Sequence, residues 1–321
     1  MILVTGGTGF IGSHLLERLS SLGVPARCLL RPAPRARRLP AGIEPAPGDL
    51  ASGEGVAAAV DGADTVIHLA GVTKALRPED YYIGNGRATK NLAEALAGRA
   101  VRLVHVGTLA SIGPSPDGRP VSEDAEPHPL THYGRSKLEA ERIVRERCPD
   151  AVIVRPPVVY GPRDRDVFQM LKTVARGYMV AIAGGERSFS AIYVRDLVEG
   201  ILAACNTPAA AGRTYFLAHP KPATWTGLAM AAGSVMGRTP RIISVPVSLA
   251  RLVGYSAEIW AGLRRRPGIV SREKVAEAEC ACWTCDTSRA ADELGFEAGT
   301  SLEEGIALAL AWYKEAGWLR Y

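Results

Sequence analysis

The sequence predicts an α/β protein: a doubly wound parallel sheet followed by a smaller C-terminal α+β lobe. Three observations carry that expectation. A glycine-rich turn joins the first strand to the first helix, strands and helices alternate through the first half, and the regularity weakens after about residue 160.

The opening segment sets the frame. Ile2–Thr5 is a short apolar strand that runs directly into Gly6-x-x-Gly9-x-x-Gly12, and Ile11, Leu15, Leu16 and Leu19 then recur at helical spacing. Strand, glycine turn and helix in that order form the context of a dinucleotide site in a Rossmann-type sheet. Gly6 allows a tight turn, Gly9 allows the backbone to approach a pyrophosphate, and Gly12 lets the helix pack close to the strand. The helix N-terminus supplies free N–H groups and a positive dipole end for the anion. Gly6, Thr8, Gly9, Phe10 and Ile11 are the candidates for that end of a cofactor site.

Further strands are expected at Ala26–Leu30, Ile43–Ala46, Thr65–Leu69, Val101–Val106 and Ala151–Arg155, with helices at Ile11–Leu22, Gly53–Val60, Pro78–Leu96 and Tyr133–Arg147. Beyond these, Phe168–Arg176, Leu197–Ala204 and Trp225–Met236 read as helices between Gly- and Pro-rich loops. The expected division is 1–160 for an NAD(P)-binding domain, to which segments at about 185–220 return, and 161–321 mainly for a substrate-binding lobe.

Composition fits one enzyme. The 321 residues are 47% hydrophobic, enough for a sheet and an appended lobe. No apolar run is long enough to span a bilayer, and Met1 opens into the first strand without a signal peptide, so a cytoplasmic protein is expected. The net charge of +5 is concentrated in Arg31–Arg38 and Arg264–Arg266. Such runs read as solvated loops, and no nucleic-acid partner is expected. The six cysteines read as reduced thiols. Cys280-Ala-Cys282-Trp-Thr-Cys285 has ligand-like spacing without a fourth cysteine or histidine nearby, so no metal site is expected there.

The end of the second strand bears on the cofactor. An acidic residue there would hold the adenosine ribose and exclude a 2′-phosphate; this chain has Arg31, followed by Arg35, Arg37 and Arg38. A guanidinium suits a phosphate, so NADP is favoured over NAD.

The chemistry points to His132-Tyr133-Gly-Arg-Ser-Lys137, where Tyr133 and Lys137 share one helical face. A phenol titrates near pKa ~10, and a neighbouring ammonium brings it toward the working range of a general acid/base. Upstream, the strand ending Val104-His-Val-Gly-Thr108-Leu-Ala-Ser111 presents Thr108 or Ser111 to a reacting carbonyl oxygen.

Taken together, these motifs resemble the extended short-chain dehydrogenase/reductases of the NAD-dependent epimerase/dehydratase type. The resemblance rests on Thr5-Gly-Gly-Thr-Gly-Phe-Ile-Gly12, Gly48-Asp49-Leu50, His68-Leu69-Ala70-Gly71, Asn85 with Thr89-Lys-Asn91-Leu92, Tyr133/Lys137 and Arg155-Pro-Pro-Val-Val-Tyr-Gly-Pro162. Leu294-Gly-Phe, Ser301-Leu-Glu-Glu-Gly305 and Trp312-Tyr-x-x-x-Gly317-Trp318 resemble the family's C-terminal end. It implies that Tyr133 is the general acid/base, Lys137 its partner and ribose ligand, and Thr108 the hydroxyl residue, with Ser111 as runner-up. It also implies cofactor contacts at Asp49, Leu50, Leu69, Ala70, Gly71, Asn85, Val106, Pro156 and Val158, and a homodimer.

Departures from that pattern bear on the substrate. Sugar-nucleotide enzymes of the family usually carry Asn where this chain has Pro157, and an arginine where it has Phe189; Arg187 is offset by two residues. The segment Arg155–Pro162 instead resembles the 3β-hydroxysteroid dehydrogenase and dihydroflavonol reductase branch. The expected activity is therefore interconversion of a ketone and a secondary alcohol on a small, largely apolar molecule. Phe168, Met170, Tyr178, Met179, Phe189, Ile192 and Tyr193 are expected near the mouth of the site, Phe168 and Phe189 being substrate candidates with Ser111. A sugar-nucleotide epimerase/dehydratase is the alternative, and a non-catalytic nucleotide-binding assembly or sensor protein the second. Val245–Leu263 reads as a lobe helix over the pocket rather than a membrane-surface helix, and Asp117–Pro129 as a flap before Tyr133.

Overall fold

The computed structural model describes residues 1–31, 38–182, 186–264, 268 and 271–321. The first half lays down β1 (Ile2–Thr5), α1 (Phe10–Ser21), β2 (Ala26–Leu30), β3 (Ile43–Pro47), α2 (Val56–Val60), β4 (Thr65–His68), α3 (Pro78–Tyr81), α4 (Ala88–Leu96), β5 (Arg102–Val106), α5 (His132–Arg147) and β6 (Val152–Arg155). The second half adds β7 (Val158–Tyr160), α6 (Asp166–Ala175), β8 (Tyr178–Ile182), β9 (Ser188–Phe189), β10 (Ala191–Tyr193), α7 (Val194–Asn206), β11 (Thr214–Phe216), β12 (Ala223–Thr224) and α8 (Trp225–Val235). It ends with β13 (Arg241–Val245), α9 (Val247–Arg264), α10 (Arg272–Glu279), β14 (Cys282–Trp283), α11 (Ser288–Leu294) and α12 (Leu302–Glu315).

Seven strands form one parallel sheet in the order β3-β2-β1-β4-β5-β6-β11. This is the expected Rossmann-type architecture. The order reverses between β1 and β4, so a crevice opens at their carboxyl ends. One core packs β1, β2, β4, β5 and β6 against α1 and α7, through Leu15, Leu16, Leu19, Leu197 and Ile201. A second covers the opposite face with Val56, Val60, Leu92, Leu96 and Val144 from α2, α4 and α5. The later chain builds its own core from α6, α8 and α12, where Phe168, Leu171, Leu228, Leu310 and Tyr313 meet.

Local departures from the expected elements have local causes. The helix expected from Gly53 begins at Val56, because Gly53 and Gly55 take φ of +85° and +72°, outside the right-handed helical region. The helix expected over Pro78–Leu96 is interrupted by a π-turn at Tyr82–Arg87. That wider turn buries Asn85, whose side chain accepts from Val72 N–H at 2.7 Å and donates to the Ser136 hydroxyl at 2.9 Å. The Asp117–Pro129 stretch is tied to the rest of the fold at three points. Val121 N–H donates to Thr284 O at 2.9 Å, His128 N–H to Ile112 O at 2.8 Å, and Glu123 accepts from Phe216 N–H at 3.0 Å.

One buried ion pair locks α5 to the sheet. Arg155, at the end of β6, donates through Nη2 and Nε to Glu141 of α5 at 2.7 and 3.1 Å. Both side chains are almost fully buried, at 3% and 1% exposure. Replacing Arg155 by Met leaves the Glu141 charge uncompensated and is expected to cost about 3–5 kcal/mol of unfolding free energy. The double replacement Arg155→Met/Glu141→Leu is expected to recover most of the loss in urea titrations.

Candidate active site

The crevice is a trough in two connected parts, about 1120 Å³ and 870 Å³, that share Gly6, Thr8, Gly9, Leu69 and Gly71 in their walls. The glycine turn forms one rim, and its geometry leaves no room for larger residues. Gly6 sits at φ +73°, and a Cβ there would lie 2.6 Å from Ala70 N. A Cβ on Gly12 would lie 2.3 Å from Gly6 O, so turn and helix touch at van der Waals distance. At Gly9 only Gly6 O, at 3.2 Å, would be met, which leaves its other side open to the trough. Gly9 also begins α1 without a side-chain cap, and the helix has no acidic residue in its first turn. Exposed backbone donors, no competing carboxylate and an open approach fit a pyrophosphate.

Thr8, Phe10, Ile11, Val106 and Pro156 line the larger part together with Thr108, Tyr133 and Lys137. Arg31, Asp49, Leu50 and Ala70 line the smaller part. Arg31 is exposed at the end of β2; Arg35 and Arg37 lie outside the described residues. Asn85 and Val158 do not line the trough. Asn85 is buried behind it and holds the Val72 backbone, and Val158 packs against the lobe core.

The chemistry sits where β5, β6 and α5 converge. Thr131 caps α5 by accepting from Gly134 N–H at 3.1 Å, and the helix then points Tyr133 and Lys137 into the trough. Thr108 lies beside the phenol in the trough wall. Burial pushes the Tyr133 pKa up, while the Thr108 hydroxyl and the Lys274 ammonium pull against that rise. The Lys137 Nζ donates to Val106 O at 2.7 Å, and burial holds its pKa down at about 8, so the lysine is turned to the β5 backbone.

Three expected substrate residues are not brought to the trough. Ser111 is fully buried, its hydroxyl 2.8 Å from Glu141 Oε1 and 2.7 Å from Thr108 O. It therefore serves the Arg155–Glu141 pair. Phe168 packs on Tyr313, ring centroids 4.8 Å apart, and Phe189 stacks on Trp225 at 4.2 Å. Met179 and Tyr193 are likewise buried in the lobe core, and Ile192 in the sheet core. Apolar type alone did not separate core from mouth, since a packed lobe needs the same residues.

Other wall residues carry no motif that sequence reasoning could use. Lys74 pairs with Asp166 across the trough, and Arg163, in its wall, takes φ +73° and donates to Ser13 Oγ at 2.9 Å. Burial raises the pKa of neighbouring Asp164 to about 6. The α10 helix closes against α5: Glu273 Oε1 accepts from His132 N–H at 2.8 Å, and Glu277 Oε1 lies 3.4 Å from the Thr131 hydroxyl. For Lys274, with its side chain 54% exposed, the cost of partial burial is outweighed by Glu277 at 2.7 Å, and its pKa is raised. Arg187 has two buried nitrogens, Nε and Nη1, with no hydrogen-bond partner among the described residues. Cys282 and Cys285 are buried beneath this region, and burial pushes the Cys285 thiol up to about 12.

Comparison with known proteins agrees with this arrangement. The sequence profile described as "NAD dependent epimerase/dehydratase family" matches residues 2–218. A ceramide reductase of Caulobacter vibrioides is 30% identical, the match covering 99% of this chain and 96% of that protein. A 4-hydroxy-2-methyl-3-oxo-4-farnesyl-3,4-dihydroquinoline-1-oxide ketoreductase of Stigmatella aurantiaca is 27% identical over 94% of this chain and 93% of its own. The crystal structure of a Thermus thermophilus UDP-glucose 4-epimerase in complex with NAD superposes with a TM-score of 0.78 at 24% identity, covering 98% and 99% of the two chains.

Beneath the trough, His68 of β4 and His105 of β5 are register partners with ring centroids 5.2 Å apart. His68 is hydrogen-bonded to the Thr5 and Thr89 hydroxyls, and burial lowers its pKa to about 3. Burial also lowers His105 well below its ordinary value, and neither of its ring nitrogens has a partner among the described residues. The unfolded chain thus binds a proton at His105 below pH ~6.5 that the folded chain refuses, so this stability is present above that pH and is lost as pH falls. Relative to His105→Leu, the wild type is expected to lose about 1.4 kcal/mol per pH unit below 6.5, read from urea midpoints at pH 7.5, 6.5 and 5.5.

Proposed function

The chain belongs to the NAD dependent epimerase/dehydratase family, and on that footing we propose that it interconverts a ketone and a secondary alcohol on a largely apolar substrate. It is an oxidoreductase of the extended short-chain dehydrogenase/reductase type. The observation that carries the proposal is the placement of Thr108, Tyr133 and Lys137 together in the wall of a trough whose opposite rim is the open Gly9 turn.

Bound there, the nicotinamide would supply or accept the hydride. Tyr133 moves the proton to or from the substrate oxygen. Its raised pKa keeps the phenol protonated at neutral pH, which suits it to donate during reduction. Thr108 holds the phenol and the oxygen in register. Lys137, held down at about 8, can turn from Val106 O toward a ribose without losing a fixed ion pair. Pro156 and Pro157 form a stiff wall, offering no N–H, at the reacting end.

Two features support an apolar substrate. The position at which sugar-nucleotide enzymes place an arginine is Phe189, buried against Trp225. Of the two relatives described above, one is named a ceramide reductase and the other a ketoreductase of a farnesyl-bearing dihydroquinoline oxide. The sugar-nucleotide epimerase reading draws support from Arg187, whose unpartnered nitrogens would suit an anionic group. NADP is favoured over NAD by Arg31 at the adenosine end.

Consumption of NADPH with ketones is expected, and Tyr133→Phe is expected to lower turnover by roughly 10²–10⁴-fold with cofactor binding retained. Interconversion of a UDP-sugar without net NADPH consumption would replace this reading by the epimerase one. Arg31→Asp is expected to weaken NADPH binding by about tenfold or more while leaving NADH binding near wild type. An unchanged preference in fluorescence titrations overturns the assignment of NADP.

A further inference from the structure

The helix α9 is turned inside out for a protein surface. At 100° per residue, Leu249, Leu252, Val253, Trp260 and Leu263 fall in one stripe roughly 100° wide. That stripe faces solvent, with exposures of 48%, 61%, 49%, 56% and 73% in the same order. Ser256 lies within it, and its hydroxyl is already satisfied by Leu252 O at 2.9 Å. The inward face is small. Ala250 and Gly254 are buried, and a Cβ on Gly254 would sit 3.1 Å from Val275 of α10. Two ion pairs, Arg251–Glu279 at 2.6 Å and Arg272–Glu258 at 2.5 Å, fix α9 onto α10. The helix is therefore docked in a defined orientation, with its small residues inward and its apolar stripe outward.

The apolar surface continues beyond the helix. Val180 and Ile243 are parallel register partners on β8 and β13, exposed at 50% and 42%, and β13 leads into α9 through Pro246. The segment that carries the stripe is basic. Residues 241–272 contain six arginines and one glutamate, an excess equal to the net +5 of the whole chain. Arg264 lies over the Trp260 ring at 4.6 Å. An apolar stripe with an indole and flanking guanidinium groups matches an anionic lipid surface, where rings and aliphatic side chains enter the acyl boundary and cations remain among phosphates. A second copy of this chain matches less well, because a two-fold contact through α9 would bring two arginine-rich segments together.

We propose that α9 seats this protein on the surface of an anionic lipid bilayer, with Leu249, Leu252, Val253, Trp260 and Leu263 inserted. No helix among the described residues is long and apolar enough to cross a membrane, so the contact is peripheral. The position of α9 relative to the site gives the contact a purpose. It rests on α10, whose Glu273 and Lys274 reach His132 and Tyr133. A ketone carried on a lipid would thus reach Tyr133 from the bilayer side, a step that rests on the reading given above.

The test is co-sedimentation of the full chain with vesicles of phosphatidylglycerol and phosphatidylcholine, at low and high salt. Binding is expected to the mixed vesicles, weakened by salt and by omission of phosphatidylglycerol. Leu252→Glu/Trp260→Glu, both at solvent-facing positions, is expected to lower vesicle affinity roughly tenfold or more with an unchanged thermal midpoint. A wild type that stays in the supernatant, or a double variant that binds equally well, overturns the proposal. So does a wild type that ignores vesicles and is a dimer in solution, with the double variant a monomer. Turnover of a water-soluble ketone by the same variant separates the two readings. Intact turnover without any wild-type vesicle binding sinks the anchor alone, and vesicle binding without turnover of any ketone sinks the ketone reading alone.

Discussion

The Glu141 carboxylate is the point on which the site's geometry depends. It is buried on α5, takes two hydrogen bonds from Arg155 at the end of β6, and lies 2.8 Å from the Ser111 hydroxyl. Three pieces of chain that meet nowhere else in sequence are thereby held at fixed distances. One is the helix carrying Tyr133 and Lys137, one is the strand leading to Pro156, and one is the turn carrying Thr108. The fit is close enough that a Cβ on Gly107 would lie 2.5 Å from the Glu141 oxygen. A buried charge of this kind is a weak source of net stability, but its directional bonds allow few alternative packings. Catalytic geometry needs that second property, because a hydroxyl displaced by an ångström no longer meets the oxygen it must hold.

What could be read from the sequence was what repeats or is local. The strands β1 and β2 lie at their expected bounds because short apolar runs between glycine or proline signals leave few alternatives. The glycine turn was legible for the same reason: Gly6, Gly9 and Gly12 each answer to a separate backbone constraint at fixed spacing. Tyr133 and Lys137 were legible as one face of a helix. What the spacing did not contain was the lysine's actual partner. Val106 O belongs to a strand 31 residues away, and only the packed sheet brings it to Lys137.

The substrate end was the least legible. Phe168, Phe189 and Tyr193 have the composition of a pocket wall, and they fill the interior of the lobe instead, while Ile192 packs into the sheet core. A lobe of limited size must bury most of its large apolar side chains to be stable at all, which leaves few of them for the mouth. The wall includes Lys74, Arg163, Asp164 and Asp166 beside Phe10, Leu39 and Trp318, residues from separate loops and element ends with no shared periodicity to mark them. Conversely, α9 leaves Leu249, Leu252, Val253, Trp260 and Leu263 exposed, where helical periodicity gave the stripe but not which way it faces. Orientation is a tertiary property: here Gly254 and the pairs to Glu279 and Arg272 turn the stripe outward.

The placement of α10 joins these observations. Sequence puts its residues 141 positions after His132, yet Glu273 accepts that residue's N–H and so satisfies a donor in the first turn of α5. Lys274 adds a positive charge near the phenol, in the sense that favours proton loss, while Glu277 opposes it. The balance acting on Tyr133 is therefore set by a helix that belongs to the lobe and not to the sheet. Without α10 the phenol would feel burial, Thr108 and Tyr81; with α10 docked, it feels the lobe as well. Any substrate that enters by shifting α10 must disturb the Glu273 bond and the Lys274 charge together. Access and proton affinity at Tyr133 are thus two readouts of one contact between lobe and sheet.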